Sequence, residues 1–373
     1  MADTTVAAVP DAGRSLWADA WGRLKANKAA MVSGYFLIFM GIVCVFGPWF
    51  TPHAFTTIYQ DYNRVPPSLS PYPKAEMLDL AVSDAVRRGR VQLKSWEEKD
   101  GRIFITVTSA KPIDERMTRY IDRSSVFENS KIENMSADKL QMTISAEVER
   151  QYFFFGTDNS GRDLLTRTLI AGRVSLAIGL LAGIVAVVIG VIYGATAGFI
   201  GGKTDEIMMR IVDILYSLPF IFFVIMLVVF FGRNFVLMFL AVGAVLWLDM
   251  ARIVRGQALS LKRQEYVQAA EALGVNRRGI LLRHIVPNLL GPVVIYMTLL
   301  VPQVIILESF LSFLGLGVQE PNSSWGVLIS QGANNMPAAN WLLIFPSFFL
   351  TTTLFALNFI GDGLRDALDP KDR

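Results

Sequence analysis

Residues 174–200 form a run of 27 positions without a single Asp, Glu, Lys or Arg. A helix that is apolar all round has no face for water, so such a run belongs inside a bilayer. Crossing the hydrocarbon core takes about 20 apolar residues in a helix, because lipid offers the backbone N–H and C=O groups no partner. Stretches at about 31–50, 172–200, 211–232, 234–255, 285–310 and 341–361 meet this demand; the fourth is uncharged only from 234 to 248 and extends through Asp249 towards Arg255. The expected fold class is an all-α polytopic membrane protein with six transmembrane helices.

Lys and Arg near span ends set the orientation. With the N-terminus on the cytoplasmic side, sixteen of them fall inside: four before the first span (Arg14, Arg23, Lys25, Lys28), then Lys203 and Arg210, seven from Arg252 to Arg283, and three at the C-terminus. The two short outer loops hold only Arg233. Both termini are therefore expected to be cytoplasmic. Residues 1–30 form a cytoplasmic lead with no cleavable-signal pattern, and 31–50 are read as a retained first span. Trp17, Trp21 and Leu24 recur at helical spacing, which suits either a helix lying on the membrane surface or a solvated helix packed on its own protein.

Residues 51–173 carry 18 basic and 17 acidic side chains and cannot lie in lipid. Residues 51–155 are predicted to be a small α+β extracytoplasmic insertion between the first and second helices, the alternative being a loosely ordered segment. Apolar residues at 91–93 and 103–107 flank Asp100-Gly101, a hairpin signal, residues 141–148 alternate like a strand, and 75–88 read as helix. Gly179, Gly183, Gly190, Gly194 and Gly198 recur largely every fourth position, a spacing that lets helices pack closely.

Several function classes are excluded. A net charge of +3 argues against a nucleic-acid partner. One cysteine, Cys44, and two distant histidines, His53 and His284, leave no basis for a disulfide, a metal site or a cofactor in this chain. Residues 197–204, A-G-F-I-G-G-K-T, imitate a phosphate loop, yet that loop follows a strand, whereas here an apolar helix precedes it. Gly201 and Gly202 are better read as a helix stop. Neither a His-Glu-x-x-His nor a Gly-x-Ser-x-Gly pattern supports an intramembrane enzyme, and Asp213, Asp249, Glu308 and Asp362 fall near predicted span ends, unlike the midplane acids of an ion-coupled carrier.

Residues 256–286 hold a second kind of signal. A helix from Gln264 ends at Gly274, with Tyr266, Ala269, Ala270 and Leu273 on one face; Asn276 can cap a second helix that leads to Pro287. By itself this is either a basic loop obeying the orientation rule or a docking helix-turn-helix. Its spacing resembles the signature of ABC importer permeases, Glu-Ala-Ala, three residues, Gly, nine residues, then Ile-x-Leu-Pro. Here it stands as Gln268-Ala269-Ala270, Gly274 and His284-Ile285-Val286-Pro287, with Gln268 replacing the acid, and Glu265 lying one turn before. The ending His284 to Asn288 is similar to the peptide and nickel branch. Gly156-Thr157-Asp158-Asn159-Ser160-Gly161-Arg162-Asp163 resembles that branch's Gly-Thr-Asp-x-x-Gly-Arg-Asp element, and residues 311–317 with Pro321 and Ser324-Trp325-Gly326 resemble its segment after the fifth span.

The chain most resembles the C-type subunit of oligopeptide and dipeptide permeases, with the transmembrane permease domain at 156–373; residues of about 70–150 have no recognised counterpart. The resemblance implies an inner-membrane permease, itself non-catalytic, that works by alternating access with a second homologous permease. Two ABC ATPase subunits would bind ATP and Mg and dock on the 256–286 loop, and an extracytoplasmic solute-binding protein would deliver peptide; nickel or another small solute is the alternative cargo. The rival reading is an intramembrane enzyme, and a third is a stand-alone channel or a membrane scaffold. For the outer motif, Asp158, Arg162 and Asp163 can pair and cap the helix that follows, or can contact substrate.

Overall fold

The computed structural model describes residues 16–231 and 235–368. Arg14, Arg233, Lys371 and Arg373, four of the charges used for orientation, and the expected junction of the third and fourth spans lie outside the described residues. The helices are α1 (Leu16–Ala26), α2 (Lys28–Phe46), α3 (Ala75–Arg88), α4 (Met117–Ile121), α5 (Leu164–Ile200), α6 (Gly202–Ser217), α7 (Phe220–Phe231), α8 (Phe235–Lys262), α9 (Glu265–Ala272), α10 (Arg277–Ile280), α11 (Val286–Phe313), α12 (Trp325–Asn335) and α13 (Trp341–Leu368). Four strands, β1 (Gln92–Lys99), β2 (Arg102–Thr108), β3 (Phe127–Met135) and β4 (Gln141–Val148), lie between α2 and α5.

Two compact units emerge. One comprises residues 1–45, 171–330 and 346–373, the other 46–170 and 331–345. In the second, the strands form an antiparallel sheet of order β1-β2-β4-β3, with Ile105 opposite Ile144. Alternation puts Ile103, Ile105, Val107, Met142, Ile144 and Ala146 on one buried face with Leu78, Val82 and Val86 of α3 and Met117 and Ile121 of α4. Each of the Ile, Val, Leu and Met side chains contributes about 1.5–3 kcal/mol by leaving water. Asp100 and Gly101 both take positive φ (49° and 76°), which closes the β1–β2 hairpin in two residues.

In the membrane unit, four described helical stretches are long and apolar enough to cross a bilayer: Lys28–Trp49, Leu164–Ile200, Arg277–Phe313 and Trp341–Leu368. A bent pair, Gly202–Ser217 with Ile221–Leu227, makes up to five. The single straight helix expected at 211–232 is not what forms. The chain turns by 87° between α6 and α7, because Leu218 is extended (ψ 131°) ahead of Pro219, which disfavours helical geometry in the residue before it and brings no N–H.

The α5 glycines set the packing. A Cβ on Gly179 would lie 2.8 Å from Ile305 Cγ1 of α11; on Gly190, 2.5 Å from Met250 Cγ of α8; on Gly198, 2.6 Å from the Arg255 carbonyl. Gly194 rests on the Ala251 carbonyl. One stripe thus holds α5 against side chains of α11 near its start and against the backbone of α8 near its end. Gly201 (φ 72°) then ends α5 and Gly202 (φ 60°) opens α6, so the phosphate-loop look-alike is a helix-to-helix turn.

Candidate functional site

The loop between α8 and α11 is closed by its own backbone. After α9, the Gly274 N–H donates to the Glu271 carbonyl (3.0 Å) and Val275 N–H to the Ala270 carbonyl (3.1 Å), with Gly274 at φ 78°. This pair of reverse bonds requires a left-handed residue after the cap, which glycine adopts without steric cost. Asn276 then caps α10, its Oδ1 accepting from the Gly279 N–H at 2.6 Å. From Leu281 to Ile285 the helix widens to π geometry, and the Val286 N–H reaches back to the Leu281 carbonyl. Pro287 follows immediately and offers no N–H.

The loop is rooted inward and bare outward. Val267, Ala270, Ile280, Ile285 and Leu289 are buried in one cluster with Ala195 and Phe199 of α5 and Met250, Val254 and Ala258 of α8. Leu273, by contrast, is 84% exposed and Leu282 65%. Glu265, Tyr266, Gln268, Ala269, Arg277, Arg278, Arg283 and Pro287 are exposed too. Ala269 and Ala270 are thus split between surface and core, and the face expected from the sequence is the outward one except for Ala270. Gln268 donates its side-chain amide to the Arg263 carbonyl (3.3 Å). The His284 ring stands 6.4 Å from that of Tyr266, bringing the π turn beside α9.

Ion pairs missed by the sequence reading brace this root. Arg255 of α8 grips Asp205 of α6 with two nitrogens, at 2.5 and 2.7 Å. Arg252 bonds Asp213 at 2.8 Å and lies over the Tyr216 ring. Arginine spaced i, i+3 on α8 against acids on an amphipathic α6 was the available signal, and reading 211–232 as a membrane span concealed it.

The motif at residues 156–163 is a buried knot in the other unit. Asp158 accepts from the Ser160 and Arg162 N–H groups (2.8 and 3.0 Å) and from Arg162 Nε (2.7 Å), and Arg167 Nε lies 3.4 Å away. Thr157 Oγ1 accepts from Val65 N–H at 2.8 Å and donates to the Tyr62 carbonyl. Gly156 and Gly161, both at φ 76°, lie against the Val65 and Tyr59 carbonyls, where no side chain fits. Asp163 caps α5, accepting from both the N–H and the hydroxyl of Thr166 at 2.7 Å. Burial pushes its carboxyl above the usual range, its bonds to Thr166 opposing that shift. Thr157, Asp158 and Asp163 are all buried, which fits a cap and leaves little surface for a substrate. His53 is likewise buried and satisfied, between the Tyr59 hydroxyl (2.8 Å) and the Tyr152 carbonyl (2.9 Å).

Known proteins are similar to this chain in sequence. The chain is 61% identical over 236 residues to the oligopeptide transport system permease protein of Escherichia coli K12, covering 63% of this chain and 78% of the relative. It is 46% identical over 361 residues to that of Haemophilus influenzae, covering 97% and 90%. A dipeptide transport system permease protein of Bacillus subtilis matches at 35% over 356 residues, covering 95% and 86%. Residues 15–67 match the N-terminal TM domain of oligopeptide transport permease C. From the first turn of α5 onward, with the exposed loop included, residues 167–373 match the binding-protein-dependent transport system inner membrane component, and the chain belongs to that family.

Proposed function

We propose that this chain is the permease subunit of an ATP-driven importer of peptides in a bacterial inner membrane. It contributes six crossings, the uncharged run 235–248 of α8 supplying the one beyond the five apolar helices. Both termini and the 256–286 loop face the cytoplasm, and the α3–β4 segment is an extracytoplasmic α+β insertion. The chain is non-catalytic. A second homologous permease completes the path, two ATPase subunits bind ATP and Mg, and a solute-binding protein delivers peptide from outside.

The observation that carries this reading is the loop: bare apolar residues at its tip, Leu273 above all, on a helix pair whose inner face is locked into the cluster of α5, α8 and α11. An ATPase groove that covers Leu273 and Leu282 removes apolar surface from water, and Arg277, Arg278 and Arg283 can meet its acidic rim. Closure of two ATPases then moves α9 and α10 and, through their buried roots, the spans. The outer Gly156–Asp163 motif acts as a structural cap at the start of α5.

Leu273→Glu tests this without touching the core. In the reconstituted complex, peptide uptake should be lost while the chain remains at wild-type level in the membrane and copurification of the ATPases weakens. Uptake at the wild-type rate would refute the docking role, and a complex that hydrolyses ATP yet never moves peptide in its unmutated form would refute the transport reading.

A further inference from the structure

The one glutamate of α11, Glu308, lies near the end of that helix yet is shut off from water. It is fully buried, and its Oε1 accepts two hydroxyl bonds, from Ser312 one turn on in α11 and from Ser324 at the start of α12, both at 2.6 Å. A carboxyl inside an apolar unit is costly unless hydrogen-bonded, so a charged-type side chain placed here must do something a leucine cannot. What it does is join two elements. Ser324 in turn accepts from the Val327 N–H (3.2 Å), and the next residue, Trp325, donates its backbone N–H to the Ser175 hydroxyl of α5 (3.0 Å).

The chain folds back tightly to make this joint. A Cβ on Gly317 would lie 2.5 Å from Ser312 Cα, and Gly326 rests on the backbone of Ser309, so the segment after α11 lies directly on α11. Trp325 is fully buried in a cluster with Met40 and Cys44 of α2, Ala171 of α5 and Leu328, with Phe349 and Leu350 of α13 packed against it. The first turn of α12 is thus a plug set among α2, α5 and α13, and Glu308 fastens it to α11.

We propose that Glu308 is a positioning residue for transport: it makes α11 and the Trp325 plug move as one piece, so that displacement of the loop at the other end of α11 reaches the helices packed around the plug. This inference rests on the importer reading, because it needs a loop that is driven. Glutamine keeps the single oxygen that accepts both serines, whereas leucine removes it and leaves the Ser312 and Ser324 hydroxyls only each other, at 3.5 Å, which weakens the joint.

The test uses the complete complex, with both permeases, the ATPases and the binding protein, in lipid vesicles. Uptake of a labelled peptide and ATP hydrolysis are measured together for wild type, Glu308→Leu, Glu308→Gln and Ser324→Ala, with hydrogen exchange at residues 324–328. Expected are uptake per ATP lowered about tenfold in Glu308→Leu, a smaller loss in Ser324→Ala, near wild-type coupling in Glu308→Gln, and faster exchange at 324–328 wherever coupling falls; tenfold is within the usual range of coupling between sites. If Glu308→Leu does not assemble, Ser324→Ala decides by the same ratio. An unchanged ratio in both, or a loss of protein that leaves uptake per ATP intact, overturns the proposal. Wild-type vesicles that take up no peptide would fault the importer reading instead.

Discussion

Gly198→Ala should damage the α5–α8 seam, whereas Gly256→Ala, on the same pair of helices, should not. A methyl on Gly198 would stand 2.6 Å from the Arg255 carbonyl oxygen and 2.9 Å from Ala258 Cβ, whereas around Gly256 nothing lies within 4 Å. Close carbon-to-oxygen contact needs about 3.3 Å, so the helices must part by about 0.7 Å at Gly198. The obstacle is backbone and cannot rotate away, and overpacking of this kind costs about 1–3 kcal/mol. At Gly256 the methyl meets open space and replaces the poorest helix former short of proline, a gain of up to about 1 kcal/mol. Thermal unfolding of the purified permease in detergent, followed by tryptophan fluorescence, should place Gly198→Ala below wild type and Gly256→Ala at or above it. Equal midpoints for the two variants, or the reverse order, would refute the argument that backbone contact sets this seam. Gly194→Ala, aimed at the Ala251 carbonyl, should fall on the same side as Gly198→Ala.

Asn276→Ala removes the acceptor of the Gly279 N–H and should cost about 1 kcal/mol locally, read as faster hydrogen exchange at Gly279 and Ile280, with Asn276→Asp close to wild type. Asp163 gives a pH signature. Burial raises its carboxyl above the ordinary range, so the folded unit holds that proton more tightly than the unfolded chain, and its contribution to stability is present at low pH and lost as pH rises from the ordinary carboxylate range through the raised value. Asp163→Asn keeps an acceptor for Thr166 and should flatten that dependence in unfolding scans from about pH 4 to 8; an unchanged slope would show that Asp163 is not its source. Arg255→Lys should loosen α6 from α8, because an ammonium cannot grip both oxygens of Asp205; a disulfide introduced between the two helices should restore it, and cross-linking yield measures the gap.

What was legible in the sequence was what depends on one residue's backbone or on simple period. Gly274 and Asn276 ended and started their helices because a left-handed turn and a side-chain cap each need a particular residue at one position. The Asp100-Gly101 hairpin and the alternation at 141–148 formed for the same local reasons. Strand β3 went unread: its register slips at Glu128/Lys131 and Ile132/Asn134, around Asn129 at positive φ, so the period that marks a strand is broken twice. The break at Leu218-Pro219 was masked by apolar residues on both sides, since hydropathy averages across a bend. Glu308 does fall near the end of α11, but its burial was not legible because its partners, Ser312 and Ser324, are four and sixteen residues away, and only the fold brings the second one near.

The bend at Leu218-Pro219 and the burial of Glu308 went unread for a common reason that bears on mechanism. Hydropathy reports what faces lipid, while the contacts that make helices move together are polar pairs and backbone contacts on the opposite, inward faces. Here those contacts are the α5 glycines against α8 and α11, Arg255 on Asp205, and Glu308 on Ser324. A loop transmits displacement only if its root does not yield, and close-packed interfaces shift as units because they have few intermediate arrangements. The α9–α10 loop is rooted in the cluster that the glycine seam creates, so loosening the seam should weaken the response to a driven loop even where every residue of the loop is intact. Gly198→Ala should therefore lower peptide uptake per ATP as well as the unfolding midpoint. If the midpoint falls while coupling holds, the seam serves stability alone and the displacement travels by another route.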